Sequence, residues 1–144
     1  MKRLLLFLPL LLVGCVTTQS LPVEDRSRTY DLDYDIVFDA IVQMLAEQGF
    51  AVIDAEKDEG IINTDYRAPG DRFMSFFFGD TRMKVTALIS EAPNGTRALL
   101  NLELQDVNAS PDSPDYAPRG LSPRAARRYY RDFFASLNNY LPQY

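Results

Sequence analysis

The chain has no histidine and one cysteine, and its seven glycines are scattered singly. Without histidine, neither a Ser-His-Asp triad nor a Cys-His pair can be assembled. The same absence removes the usual imidazole ligand of zinc and other transition metals, leaving carboxylates, which suit Ca²⁺ or Mg²⁺. No glycine cluster precedes a helix in the manner of a phosphate-cradling loop. A lone cysteine allows no disulfide within the chain, so stability must come from burial. The balance of 15 basic and 20 acidic residues gives a net charge of −5, a poor match for nucleic acid, whose phosphates reward a basic face. A carboxylate-pair hydrolase stays open on composition, since Asp and Glu are plentiful, but nothing singles out a pair. The expectation is a protein that is not an enzyme, needs no cofactor or metal and binds no nucleic acid.

What is present begins at the N-terminus. Lys2 and Arg3 precede an apolar run from Leu4 to Leu12, broken only by Pro9, and Leu12-Val13-Gly14-Cys15 follows. The order of positive, apolar and small residues is that of an export signal. The apolar run is far short of the roughly 20 residues that span a bilayer as a helix. The four-residue string resembles the lipobox of bacterial lipoproteins. That resemblance implies cleavage before Cys15, a thioether from Cys15 to diacylglycerol, and acylation of the new amino terminus, such as with palmitate. Membrane lipid would then be a partner through Cys15, and several chains together anchor far more firmly than one. Val16, in place of the aspartate associated with inner-membrane retention, points to the outer membrane, facing the periplasm. The expected organisation is a signal peptide at 1–14, a lipidated flexible tether at 15–28 and one domain at 29–144. Loss of Lys2 and Arg3 moves the net charge from −5 to −7.

The domain reads as alternating elements. Thr29 to Leu32 supplies a short strand. Asp33 can cap a helix in which Val37, Phe38, Ile41, Val42, Met44 and Leu45 recur at three- and four-residue spacings, and Gly49 stands where a left-handed C-cap is expected. Phe50 to Asp54 and Gly60 to Tyr66 read as two strands of a hairpin around a charged turn at Glu56 to Glu59. Met83, Val85, Ala87 and Ile89 alternate with more polar neighbours, as do Ala98, Leu100, Leu102 and Leu104. Asn94-Gly95 between them predicts a hairpin turn in which both residues tolerate positive φ. Asn94-Gly95-Thr96 also satisfies the glycosylation sequon, but beside a lipobox the turn is the better reading. Asn108 to Pro118 is rich in Asp and Pro and predicts a loop. Ser122 and Pro123 then open a helix whose buried stripe is Ala126, Tyr130, Phe133, Leu137 and Leu141.

The fold class predicted is α+β: a two-layer, helix-grip-like domain of order β-α-β-β-β-β-α, with an antiparallel sheet of about five strands and two helices on one face. The run Asp33-Tyr34-Asp35, Phe38, Ala40, Leu45, Gly49-Phe50, Val52, Asp54 and Gly60-Ile61-Ile62 resembles the opening of helix-grip domains in bacterial envelope lipoproteins of the BamC type, BamC being the lipoprotein subunit of the outer-membrane β-barrel assembly machinery. The resemblance covers Asp33 to Tyr66 and the placing of the final helix. It implies a fold more than a role. The chain departs from that type in having a short tether and a single grip domain.

The segment Phe73, Met74, Ser75, Phe76, Phe77 and Phe78, set between Pro69-Gly70-Asp71 and Gly79-Asp80, is the candidate interaction site. Exposed, it would form an apolar contact patch. Alternatively its rings are buried under a helix as ordinary core. Arg119, Arg124, Arg127, Arg128 and Arg131 form a second cluster. It reads either as a face for lipid head groups or an acidic partner, or as a solvated face neutralised by Asp106, Asp112 and Asp115. The function expected is an adaptor or accessory subunit that binds another envelope protein. The alternative is a carrier holding a lipid or other apolar ligand in a cavity lined by Phe133, Leu137, Val85 and Leu102. A Ca²⁺ module or carboxylate enzyme would need Glu103, Asp106, Asp112 and Asp115 to converge.

Overall fold

The computed structural model describes residues 21–67, 81–106, 108 and 122–142. A 3-10 turn, Val23–Arg26, leads into strand β1, Ser27–Tyr30; helix α1, Tyr34–Glu47, follows. Strands β2, Val52–Glu56, and β3, Ile61–Thr64, then form a hairpin, as do the long β4, Thr81–Ala92, and β5, Gly95–Asp106. Helix α2, Pro123–Leu137, comes last. All five strands join one antiparallel sheet in the order β1-β5-β4-β3-β2. Among the described residues the architecture is therefore the expected α+β one, an open five-stranded sheet with two helices.

Alternation sets which face of the sheet is buried. Met83, Val85, Ala87 and Ile89 of β4 and Thr96, Ala98, Leu100 and Leu102 of β5 are buried, while the intervening residues stay partly or fully exposed as far as Glu103. Helix α1 lays Val37, Phe38, Ala40, Ile41, Met44 and Leu45 on this face, and α2 adds Ala126, Tyr130, Phe133, Phe134 and Leu137. The result is one contiguous core. Each large apolar side chain withdrawn from water contributes about 1.5–3 kcal/mol. Both helices form where the sequence places them, with Gly49 at φ +84° after α1 and Pro123 at the first position of α2, but Asp33 and Ser122 stand at the N-caps without a side-chain capping hydrogen bond, and α2 ends at Leu137, short of Leu141.

Two positions shape the sheet locally. Between the last β3–β4 ladder pair, Asn63↔Thr86, and the isolated bridge Arg67↔Met83, the Thr64 hydroxyl takes the place of a backbone partner. Its Oγ1 accepts from the Val85 N–H at 3.0 Å and donates to the Val85 carbonyl at 3.1 Å, in a fully buried site. Gly95, at φ +114°, lies so close to β1 that a Cβ there would stand 2.1 Å from the Tyr30 carbonyl oxygen. No other residue type fits that contact without moving the strand.

The structure corrects three local readings. The turn between β4 and β5 consists of Pro93 and Asn94, because Ala92 pairs with Gly95. Proline presets the negative φ of a first turn position, and among the described residues only glycines have positive φ, so Asn94 is not in the left-handed region. Phe50 is a buried core residue at the exit of α1 rather than the first residue of a strand. The fold also starts before position 29. Leu21 is buried, Val23–Arg26 forms a turn, and β1 runs over 27–30 rather than 29–32, so residues 21–28 belong to the domain and not to a tether.

Arg26 explains why that segment adheres. Beyond Leu99 strand β5 has no β1 partner, and there Arg26 Nη1 donates to the Leu100 carbonyl at 3.5 Å and to Asn101 Oδ1. The guanidinium, beside the Tyr130 hydroxyl, takes over where the ladder ends.

Candidate functional site

Cys15 and the candidate residues Phe73, Met74, Phe76, Phe77 and Phe78 lie outside the described residues, as do Asp112, Asp115 and Arg119. What is described is the frame that carries the phenylalanine-rich connection between β3 and β4. Its two ends are tied together, Arg67 N–H to the Met83 carbonyl and Met83 N–H to the Arg67 carbonyl, both at 2.8 Å. Around this tie stands a set of stacked and hydrogen-bonded side chains. The Arg67 guanidinium lies 5.3 Å from the centre of the Phe50 ring, and the Arg82 guanidinium 5.3 Å from that of Tyr66. Arg82 Nε donates to Gln105 Oε1 at 2.8 Å, and the Tyr66 hydroxyl to Glu103 at 3.3 Å. Gln105 is buried although its partner Arg82 is on the outer face of the sheet. These cation–π and amide contacts fix where the connection leaves and re-enters the sheet.

The second surface is on α2. Arg124, Arg127, Arg128 and Arg131, spaced i, i+3, i+4 and i+7, share one face and line an open groove of about 490 Å³. Arg127 Nε pairs with Asp25 at 3.1 Å, and Asp132 receives Arg131 at 2.8 Å and Arg128 at 3.8 Å. Among the described residues Asp25 and Asp132 are partners of this face, and Asp112 and Asp115 of the acidic loop lie outside the described residues. Every one of these pairs is solvent-exposed, which limits each to about 0–1 kcal/mol. Among the described residues no carboxylate pairs with Arg124. The two surfaces meet through the half-buried Tyr129, whose hydroxyl pKa is pushed up by burial and drawn back by the Arg67 charge.

Charge of the other sign collects at the opposite edge of the sheet, around the β2–β3 turn. Lys57 there bridges Asp35 at 3.3 Å and Asp39 at 2.8 Å. The Asp54 and Glu59 carboxylates push up the pKa of Glu56. Burial pushes up that of Tyr34, with Asp35, Asp58 and Glu91 adding to it.

Among the described residues no three of His, Cys, Asp and Glu come together to hold a metal, and no helix is long and apolar enough to cross a membrane. Phe133, Leu137, Val85 and Leu102, the residues expected to line a carrier's cavity, are 0–3% exposed within the single core cluster. Sequence reasoning missed Asp25, Arg26 and Tyr66. Asp25 and Arg26 sit in a stretch without apolar periodicity, and a buried arginine at a sheet edge leaves no periodic signal. No protein-family model and no curated protein matches the chain.

Proposed function

We propose that this is a membrane-anchored bacterial lipoprotein, held to the periplasmic side of the outer membrane by acyl chains on Cys15, and that it serves as a non-enzymatic adaptor in envelope assembly. The observation that carries the reading is the string Leu12-Val13-Gly14-Cys15 behind a short apolar run, six residues ahead of Leu21, where the described fold begins. The resemblance of Asp33 to Tyr66 to BamC-type grip domains supports the same assignment. A core in which Phe133, Leu137, Val85 and Leu102 are closed over favours an adaptor over a carrier. The braced connection between Arg67 and Met83, holding five large apolar side chains, is the partner-binding element of this proposal.

Replacing Cys15 by serine should leave the precursor uncleaved and free of labelled fatty acid. A Cys15→Ser protein still processed and still sedimenting with membranes would refute the anchor. A photoreactive residue at position 77 of the anchored protein should crosslink one recurrent envelope protein. Lipid adducts would transfer support to the carrier, and crosslinks only within the chain would remove this segment from the site.

A further inference from the structure

We infer that the arginine face of α2 is a seat for the phosphates of anionic lipid head groups, and that it sets the orientation of the domain on its membrane. The inference rests on the lipoprotein reading and adds a surface to it. Four arginines are presented side by side over two helical turns, bordering an open groove, in a chain whose net charge is −5. Lysine accounts for only three of the 15 basic residues, at positions 2, 57 and 84, and for none on this helix. A planar guanidinium binds phosphate with two parallel hydrogen bonds, which an ammonium cannot do. Arg124, in the first turn of the helix, also stands where the macrodipole disfavours a cation and favours an anion.

Position supplies the second argument. Arg127 is paired with Asp25 of the Val23–Arg26 turn, four residues after the described fold begins. The six residues from Cys15 to Leu21 reach about 20 Å at most when fully extended, so the arginine face is held close to whatever surface carries Cys15. The acidic β2–β3 turn lies on the far edge of the sheet, where an anionic membrane repels it least. Each basic side chain near an anionic surface strengthens binding about fivefold, and the effect fades beyond a Debye length. The Asp25 and Asp132 pairs are exposed and readily exchanged for phosphate.

The test uses the full-length chain, purified with its native processing and reconstituted into vesicles of phosphatidylcholine alone or of phosphatidylcholine with phosphatidylglycerol. An arginine-selective dicarbonyl reagent is applied, and each peptide is quantified by mass spectrometry. Arg124, Arg127, Arg128 and Arg131 should react several-fold more slowly with phosphatidylglycerol present, and raised salt should reverse this. Arg97, on the outer face of the sheet, should be unchanged. The double variant Arg124→Gln/Arg128→Gln should lose most of the protection at Arg127 and Arg131 while melting at the wild-type temperature. Equal rates in both vesicles would overturn the inference, as would equal protection by dissolved inorganic phosphate on phosphatidylcholine, or protection of Arg97 as well. Protection seen only in intact envelopes would assign the face to an acidic protein and also overturn it. The mass of the peptide containing Cys15, from the same sample, reads the anchor independently, so failure of one claim is distinct from failure of the other.

Discussion

Thr64 holds the junction between the two hairpins with one hydroxyl. Because that oxygen serves both the N–H and the carbonyl of Val85, valine in its place keeps the shape but strands two buried backbone groups. Thr64→Val should therefore cost about 1–3 kcal/mol, read as a lowered urea midpoint at unchanged slope; a change below a few tenths would mean that water replaces the hydroxyl. Gly95 poses the complementary steric problem. A methyl group there collides with the Tyr30 carbonyl oxygen at an unfavourable φ, and Gly95→Ala should destabilise by about 2 kcal/mol or more. A wild-type melting temperature for that variant would show that β1 can yield. Neither role is visible in the sequence. Threonine at position 64 fits the strand pattern as an ordinary β-former, and Gly95 stands beside an asparagine whose Asn-Gly signal displaces the turn by one residue.

At the level of elements the sequence is far more legible. Both helices follow from apolar spacing, and Gly49 and Pro123 punctuate them as their backbone preferences require. The β4 and β5 strands follow from a period of two, since one face is buried and the other wet. The edges are harder to read. Strand β1 has only four residues, two of them partly buried, and the turn before it is held by the hydrogen bonds of Arg26 rather than by apolar burial. The arginine face was legible as a cluster, whereas its partners were not. Asp25 becomes a neighbour only because the chain's beginning folds back along β5, a contact between residues 102 positions apart. The candidate segment at Phe73 to Phe78 is legible as composition and spacing alone, and its described part is the brace formed by Arg67 and Met83.

The whole molecule has a simple dependence on pH. Histidine, the side chain that ordinarily titrates between pH 5 and 8, is absent. Burial instead acts on tyrosines: it pushes Tyr30 up from 10.0 to about 12 and raises Tyr129 and Tyr130 as well. The folded state thus holds these protons where the unfolded chain has released them. The stability involved is fully present below pH 10 and falls as pH rises from 10 towards 12. Urea midpoints should be flat from pH 6 to 9 and drop above 10, with absorbance at 295 nm lagging behind that of free tyrosine. Tyr30→Phe should lessen the drop. Among the described residues the Tyr30 hydroxyl is buried without a hydrogen-bond partner, so the same variant should lose no stability at pH 7. A steeper drop in Tyr30→Phe would contradict the assignment.

The sheet order also fixes when the fold can be completed. Among the described strands β1 pairs only with β5, Ser27 opposite Leu99, whereas the other three pairings join strands adjacent in the chain. A polypeptide emerging N-terminus first can build both hairpins in turn, but its first strand has no place to dock until the last has appeared. Contacts across so long a loop form late, after the local ones have lowered their entropic cost. The segment from Leu21 to Arg26 consequently has no seat until β5 has been made, and docking of β1 on β5 is the step that fixes it to the domain.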